Sequence, residues 1–316
     1  MYAYDSGALG GVTAGRARDQ LAGLMLESRA GRRPGVFVAT AGHCHVAAAT
    51  GAAPGRRRTD ALQGPEGGAE GKAAATPLKQ RIKDGEVVVA LRPPITIGRE
   101  QLEAALAKGR YDLLYVDGQH TPFSDDQLVA LCRTAEELGL PVQFRIPHTR
   151  HTYLIGRYLD MGLSGVLVPE VEETAPVDEA TAYAYYPPVG RRSWGGAARF
   201  GTRQAGRRLS ATEYAAWWNQ HVVLAVQLES IVAVESARAL AKPGVDYLAF
   251  GPSDLTFDLA RRPEYRFRTA DACTRYVAEQ VRGTGIRLGM AVVTEPEERG
   301  RYLEMGLTVF QETPRP

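Results

Sequence analysis

Eight short runs of mostly β-branched and aromatic residues, separated by longer amphipathic stretches, restrict the fold of this chain more than any other feature. They are VVVAL (87–91), LLYVDG (113–118), VQFRI (142–146), GVLVPE (165–170), VVLAVQLE (222–229), YLAFGPSD (247–254), LGMAVV (288–293) and TVF (308–310). Near-continuous apolarity marks strands buried on both faces, and single helical stretches between them imply parallel pairing. The clearest helical stretch is SDDQLVALCRTAEELG (124–139), where Ser124 can cap the start and Gly139 can end the helix. Others are HTYLIGRYLDMG (151–162), SIVAVESARALAK (230–242), DACTRYVAEQVRGTG (271–285) and EPEERGRYLEMG (295–306). Eight such units in about 240 residues predict an α/β fold, a (β/α)8 TIM barrel rather than an open sheet.

Two stretches depart from the rhythm. Residues 171–221 are too long for one connection, and their PPVGRRSWGGAARFG segment predicts a long loop over the barrel mouth. The chain also stops at ETPRP directly after the eighth run, so the barrel is expected to lack a full C-terminal helix.

The first part of the chain differs in kind. Residues 1–75 form a Gly/Ala/Arg-rich extension expected to be poorly ordered, because 51–75 hold almost no large apolar side chains to offset the entropy of ordering. The barrel domain is then 76–316. His43, Cys44 and His45 sit together in the extension, but adjacent ligands need partners elsewhere to close a metal site, and they are read as incidental.

Composition excludes several function classes. A net charge of +2 gives no broad attraction for nucleic acid. Three cysteines without a CxxC spacing indicate neither a disulfide framework nor a zinc cluster, so a reducing, cytoplasmic setting is expected. No apolar run approaches the roughly 20 residues that span a bilayer, and the N-terminus lacks the pattern of a secretory signal.

In a barrel of this type the chemistry lies at the C-terminal ends of the strands. Those ends carry Asp117 and His120, Arg145, Glu170, Gln227 and Glu229, and Asp254. Singly, Asp117 could be a turn former, His120 a loop residue and Arg145 a partner for a nearby carboxylate. A carboxylate ending a buried strand is harder to dismiss, because an unpaired buried charge costs several kcal/mol unless a cation compensates it. Glu229 and Asp254, on neighbouring strands, therefore suggest a divalent metal site completed by water and substrate oxygens.

The set DGQH (117–120), FRIP (144–147), VPEVEE (168–173), YPPVGRR (186–192), QLES (227–230) and GPSDL (251–255), in this order, resembles the HpcH/HpaI aldolase family. These are metal-dependent pyruvate aldolases of 2-keto-3-deoxy and 4-hydroxy-2-oxo acids. The resemblance implies a divalent metal (Mg²⁺, Mn²⁺ or Co²⁺) held by Glu229 and Asp254, and an Asp117–His120 pair with Arg145 as the catalytic residues. It implies substrate binding at Gln227, Gly251, Pro252 and Ser253, a small-molecule oxo-acid substrate and a homo-oligomer. In this reading His120, oriented by Asp117, accepts the proton of the 4-hydroxyl, and Arg145 balances negative charge. The candidate strands contain no lysine, which weighs against a Schiff-base aldolase. Arg191, Arg192 and Arg199 either meet a distal carboxylate or are solvated.

The chain departs from the family pattern at Gln119, where the family has Glu, and at Ser193 and Trp194, which could reshape the mouth. Two other readings stand beside the aldolase: a citrate-lyase-β-like or malyl-CoA-lyase-like enzyme, and a catalytically silent barrel with a binding role.

Overall fold

The computed structural model describes residues 76–195, 199–201 and 209–315. The predicted extension 1–75, with His43, Cys44 and His45, lies outside the described residues. Eight strands close a barrel in chain order: β1 (Val88–Leu91), β2 (Leu113–Asp117), β3 (Val142–Arg145), β4 (Gly165–Val168), β5 (Val223–Leu228), β6 (Tyr247–Phe250), β7 (Arg287–Val293) and β8 (Leu307–Glu312). Every neighbouring pair is parallel, and β8 returns to β1 in the register Val88↔Val309 through Leu91↔Glu312. Each of the eight predicted runs holds one of these strands.

The two-residue period of a strand sorts each run into two faces. Val88 and Ala90, Leu113 and Tyr115, Leu167, Val223 and Ala225, and Tyr247 and Ala249 point inward and fill the barrel. Leu114 and Val116, Phe144, Val166 and Val168, Leu224, Val226 and Leu228, and Leu248 and Phe250 point outward under the helices. Both faces are buried, which is why the runs read as continuous apolar blocks rather than alternating ones.

The surrounding helices are α1 (Leu78–Asp84), α2 (Arg99–Leu106), α3 (Asp125–Glu137), α4 (Ile155–Leu159), α5 (Thr174–Ala184), α6 (Ala211–Asn219), α7 (Ile231–Leu240), α8 (Pro252–Arg261), α9 (Ala270–Gln280) and α10 (Arg299–Glu304). Ser124 caps α3 in a reciprocal capping box with Gln127, and Gly139 follows the helix with φ 76°. Helix α1 covers the N-terminal end of the barrel. Its Ile82 joins the inner cluster, and Lys79 Nζ donates to both oxygens of Asp246 at 2.7 Å, to Tyr185 Oη at 2.8 Å and to the Val222 carbonyl at 2.9 Å.

The stretch 171–221 exceeds one connection, as its length predicts: α5 and α6 lie on either side of the PPVGRRSWGGAARFG segment, and two other expectations need correction. Val177, Ala180 and Ala184 give α5 a buried stripe, while Ser210 and Glu213 form a capping box at the start of α6. The run 247–254 is not all strand, since β6 ends at Phe250 and Pro252 opens α8, where its missing N–H costs nothing. Arg192 is neither solvated nor aimed at a substrate; it is buried, donates to Asp160 at 2.6 Å and lies over the rings of Tyr186 and Trp218.

Candidate active site

The inward period continues past the apolar layers into polar residues. Leu113 and Tyr115 lead to Asp117, Gln143 to Arg145, and Val223 and Ala225 to Gln227, so the uppermost inward layer is charged and polar. Asp117 stands opposite Arg145 in the β2–β3 register. Arg145 grips it with both arms, Nε to Oδ1 at 2.8 Å and Nη2 to Oδ2 at 2.5 Å. Arg92, just beyond β1, adds a bond to Oδ2 at 2.7 Å, and the backbone amides of Gln119 and His120 donate to Oδ1 at 3.0 and 3.4 Å.

Burial alone would raise the Asp117 carboxyl, but the hydrogen bonds and charge of Arg145, with the Gln119 amide and Arg92, hold it below the usual carboxylate range. Burial likewise opposes the charge on Arg145, and Asp117 outweighs it, keeping the guanidinium firmly protonated.

The network continues across the barrel. Arg145 Nη1 donates to Gln227 Oε1 at 3.3 Å, and Gln227 Nε2 donates to Glu229 Oε2 at 2.6 Å. The Glu170 amide donates to the other Glu229 oxygen at 2.5 Å. Burial raises the Glu229 carboxyl to about 7; the charges of Asp254 and Glu170 push the same way, against the Glu170 amide and Arg145. Two glycines make this closeness sterically possible. A Cβ at Gly118 would meet the Phe144 ring at 2.3 Å, and one at Gly251 would meet Gln227 Nε2 at 2.6 Å and Glu229 Cβ at 2.9 Å.

Above this layer opens a cavity of ≈ 730 Å³ whose wall includes Gln119, His120, His148, Arg150, Glu170, Glu229, Ser230 and Asp254. Asp117, Arg145 and Gln227 do not line it; they form the polar layer that holds Glu229. Gly251, Pro252 and Ser253 are also outside the wall, at the start of α8, where they set the position of Asp254 in the first helical turn. The expected orientation of His120 by Asp117 runs through the His120 backbone amide, because the Asp117 oxygens are taken up by the two arginines. Ser193 and Trp194 are likewise not part of the wall; Trp194 packs against Tyr186 and Tyr214.

The donor set fits a hard divalent cation. Glu229 and Asp254 share the cavity, the Asp254 charge raises the cost of ionising Glu229, and among the described residues neither has a cationic side chain within ion-pair distance. A divalent ion would supply the missing positive charge, with oxygens of water and substrate completing its shell. Among the described residues no cluster of three or more His, Cys, Asp or Glu side chains is poised to hold a metal, so the protein's share would be these two carboxylates. Also among the described residues, no helix is long and apolar enough to cross a membrane.

Sequence reasoning missed His148, Thr149 and Arg150, which follow β3 and line the cavity. Their position after a barrel strand was the available signal, since residue type alone does not separate them from a solvated turn.

Comparison with known proteins identifies the family of the chain. The family model for HpcH/HpaI aldolase/citrate lyase matches residues 99–312. A hydroxypyruvate/pyruvate aldolase of Pseudomonas aeruginosa is 30% identical over 231 residues, covering 72% of this chain and 83% of the relative. A 5-keto-4-deoxy-D-glucarate aldolase of Salmonella gallinarum is 29% identical over 223 residues, covering 69% and 81%. The crystal structure of an HpcH/HpaI aldolase from Desulfitobacterium hafniense aligns with a TM-score of 0.64 at 25% identity, over 76% of this chain and 91% of that one. With the closed barrel and its polar rim, these matches show that the chain is a lyase belonging to the HpcH/HpaI aldolase/citrate lyase family.

Proposed function

We propose that the enzyme catalyses reversible, metal-dependent aldol cleavage of a 4-hydroxy-2-oxo acid to pyruvate and an aldehyde. The observation that carries the reading is the connected network Asp117–Arg145–Gln227–Glu229, ending on one cavity wall with Asp254 and His120. The names of the two aldolase relatives support the reaction class.

Glu229 and Asp254 are the residues that would hold Mg²⁺, Mn²⁺ or Co²⁺. Such an ion supplies electrophilic stabilisation of the charge that develops on the 2-oxo oxygen when the C3–C4 bond breaks. His120, on the cavity wall, takes the proton of the 4-hydroxyl, so that the C4–O bond becomes the aldehyde carbonyl and the C3–C4 electron pair passes to the pyruvate half. Arg145, fixed by Asp117, contributes a permanent positive charge beneath the reacting acid and orders Gln227 against Glu229. Gly251, Pro252 and Ser253 act on the site by fixing the start of α8, and with it the position of Asp254. We further propose that the protein works as a homo-oligomer in a reducing cytoplasm, consistent with two buried free thiols, Cys132 and Cys273.

The test is pyruvate release from a panel of 4-hydroxy-2-oxo acids. His120→Ala is expected to lower kcat by about 10² to 10⁴-fold, the usual worth of a positioned acid–base group. EDTA should abolish turnover and Mn²⁺ should restore it. Full activity in chelator, or a fully active His120→Ala variant, would overturn the proposal.

A further inference from the structure

We infer that Glu170 is a positioning residue whose left-handed backbone aims its amide at the Glu229 carboxylate, and that Gln119 is the side chain that secures it there. The inference rests on the metal-site reading of Glu229 and adds a residue to it.

Among the described residues, Glu170 is the one non-glycine with positive φ, at 54°. That conformation is unfavourable for a residue carrying a Cβ, and it persists only where surrounding contacts impose it. Two residues after the end of β4, this backbone turn points the Glu170 N–H at Glu229 Oε1 at 2.5 Å. With Gln227 on the second oxygen at 2.6 Å, each oxygen of Glu229 receives one donor, so the carboxylate plane is fixed and one side of each oxygen remains for the cavity.

The side chain of Glu170 is held in turn from two other loops. Gln119 Nε2 donates to Glu170 Oε1 at 3.0 Å, and His148 Nε2 lies 3.0 Å from Glu170 Oε2. These contacts join the loops after β2, β3 and β4 around one residue whose amide reaches the end of β5.

The arrangement also explains Gln119. A glutamate there would set a carboxylate against the Glu170 carboxylate at the distance where the amide now donates. A glutamine at 119 and a glutamate at 170 are therefore complementary, and each makes sense only with the other. The departure from the family pattern at 119 follows from the residue at 170 and leaves the acid–base role of His120 untouched.

The experiment uses the full chain, uniformly ¹⁵N-labelled and first metal-free, with Glu170→Gln, Glu170→Gly and Glu170→Ala. Gln keeps the contacts to Gln119 and His148, Gly loses them but adopts positive φ freely, and Ala loses both advantages. The residue 170 amide proton is expected far downfield in wild type, Gln and Gly, and shifted upfield in Ala. Gln119→Glu should move it as Ala does, and Gln119→Glu combined with Glu170→Gln should restore it.

Mn²⁺ titration of the same proteins should leave Gln within about two-fold of wild type and weaken Ala by about ten-fold or more, the worth of a lost bond to a charged group. Gly is expected between them. Equal weakening in Gln, Gly and Ala would mean that charge alone matters and would overturn the inference, as would an unmoved amide in Ala. The expected amide pattern in a wild type that binds no Mn²⁺ would support the positioning of Glu229 while refuting the metal-dependent function.

Discussion

Asp117 shows how one residue can be both readable and misleading. Its place at the end of an apolar run identifies it as a rim residue, yet the role expected for it, steering the His120 ring, belongs to its backbone contact alone. Its carboxylate is committed to Arg145 and Arg92. Because the folded protein holds this carboxyl below its unfolded value of about 3.9, the group stabilises the fold above that pH, and the contribution is lost as pH falls through the lower folded value. Asp117→Asn leaves buried Arg145 without its charge partner and is expected to destabilise the protein by about 3–5 kcal/mol at pH 7. Denaturant titration at pH 7, 4 and 3 checks it: the gap between variant and wild type should narrow below about pH 4, and a gap of constant size would contradict the assignment.

At the scale of elements, α1 and the pair α5–α6 were the least legible. Leu78 and Ile82 are the only large apolar residues of α1, too few to stand out as a periodic stripe, and its main anchor is a lysine. Burial pulls Lys79 down and pushes Asp246 up, so desolvation opposes both charges and the pair persists because the Asp246 oxygens, Tyr185 and the Val222 carbonyl satisfy the ammonium. Lys79→Met should then cost about 3–5 kcal/mol by leaving Asp246 buried and unpaired, whereas the double change Lys79→Met/Asp246→Leu should recover most of the loss. Thermal melts of the two variants decide the matter, and a double variant no more stable than the single would refute it.

At the scale of the whole molecule, the barrel closes within itself. Among the described residues the apolar core begins at Ile82, and β1 pairs with β8 without any earlier segment. A chain beginning at Thr76 is therefore expected to fold with the melting temperature and pyruvate-releasing activity of the full protein. One beginning at Gly85 loses Lys79 and Ile82 and should melt lower. Calorimetry and the pyruvate assay test both, and an inactive or unfolded 76–316 chain would refute the domain boundary.

The eight strands were legible because each is written locally: apolar, largely β-branched runs of three to eight residues need no distant partner to be recognised. The rim candidates Asp117, Arg145, Gln227 and Glu229 were legible for the same reason, as polar residues at the ends of such runs, whereas Asp254 stands in the first turn of the helix that follows β6. The stretch 171–221 was not, because Gly, Pro and Arg in its middle masked the two helices at its ends. What Asp117 grips, which amide meets Glu229, and why residue 119 is a glutamine depend on neighbours 28, 59 and 51 positions away in the chain. The sequence by itself determined the order and the inward faces of the strands, through a period of two residues. Only the tertiary structure decided which rim groups touch, because the register of a closed barrel, and not local pattern, sets those distances.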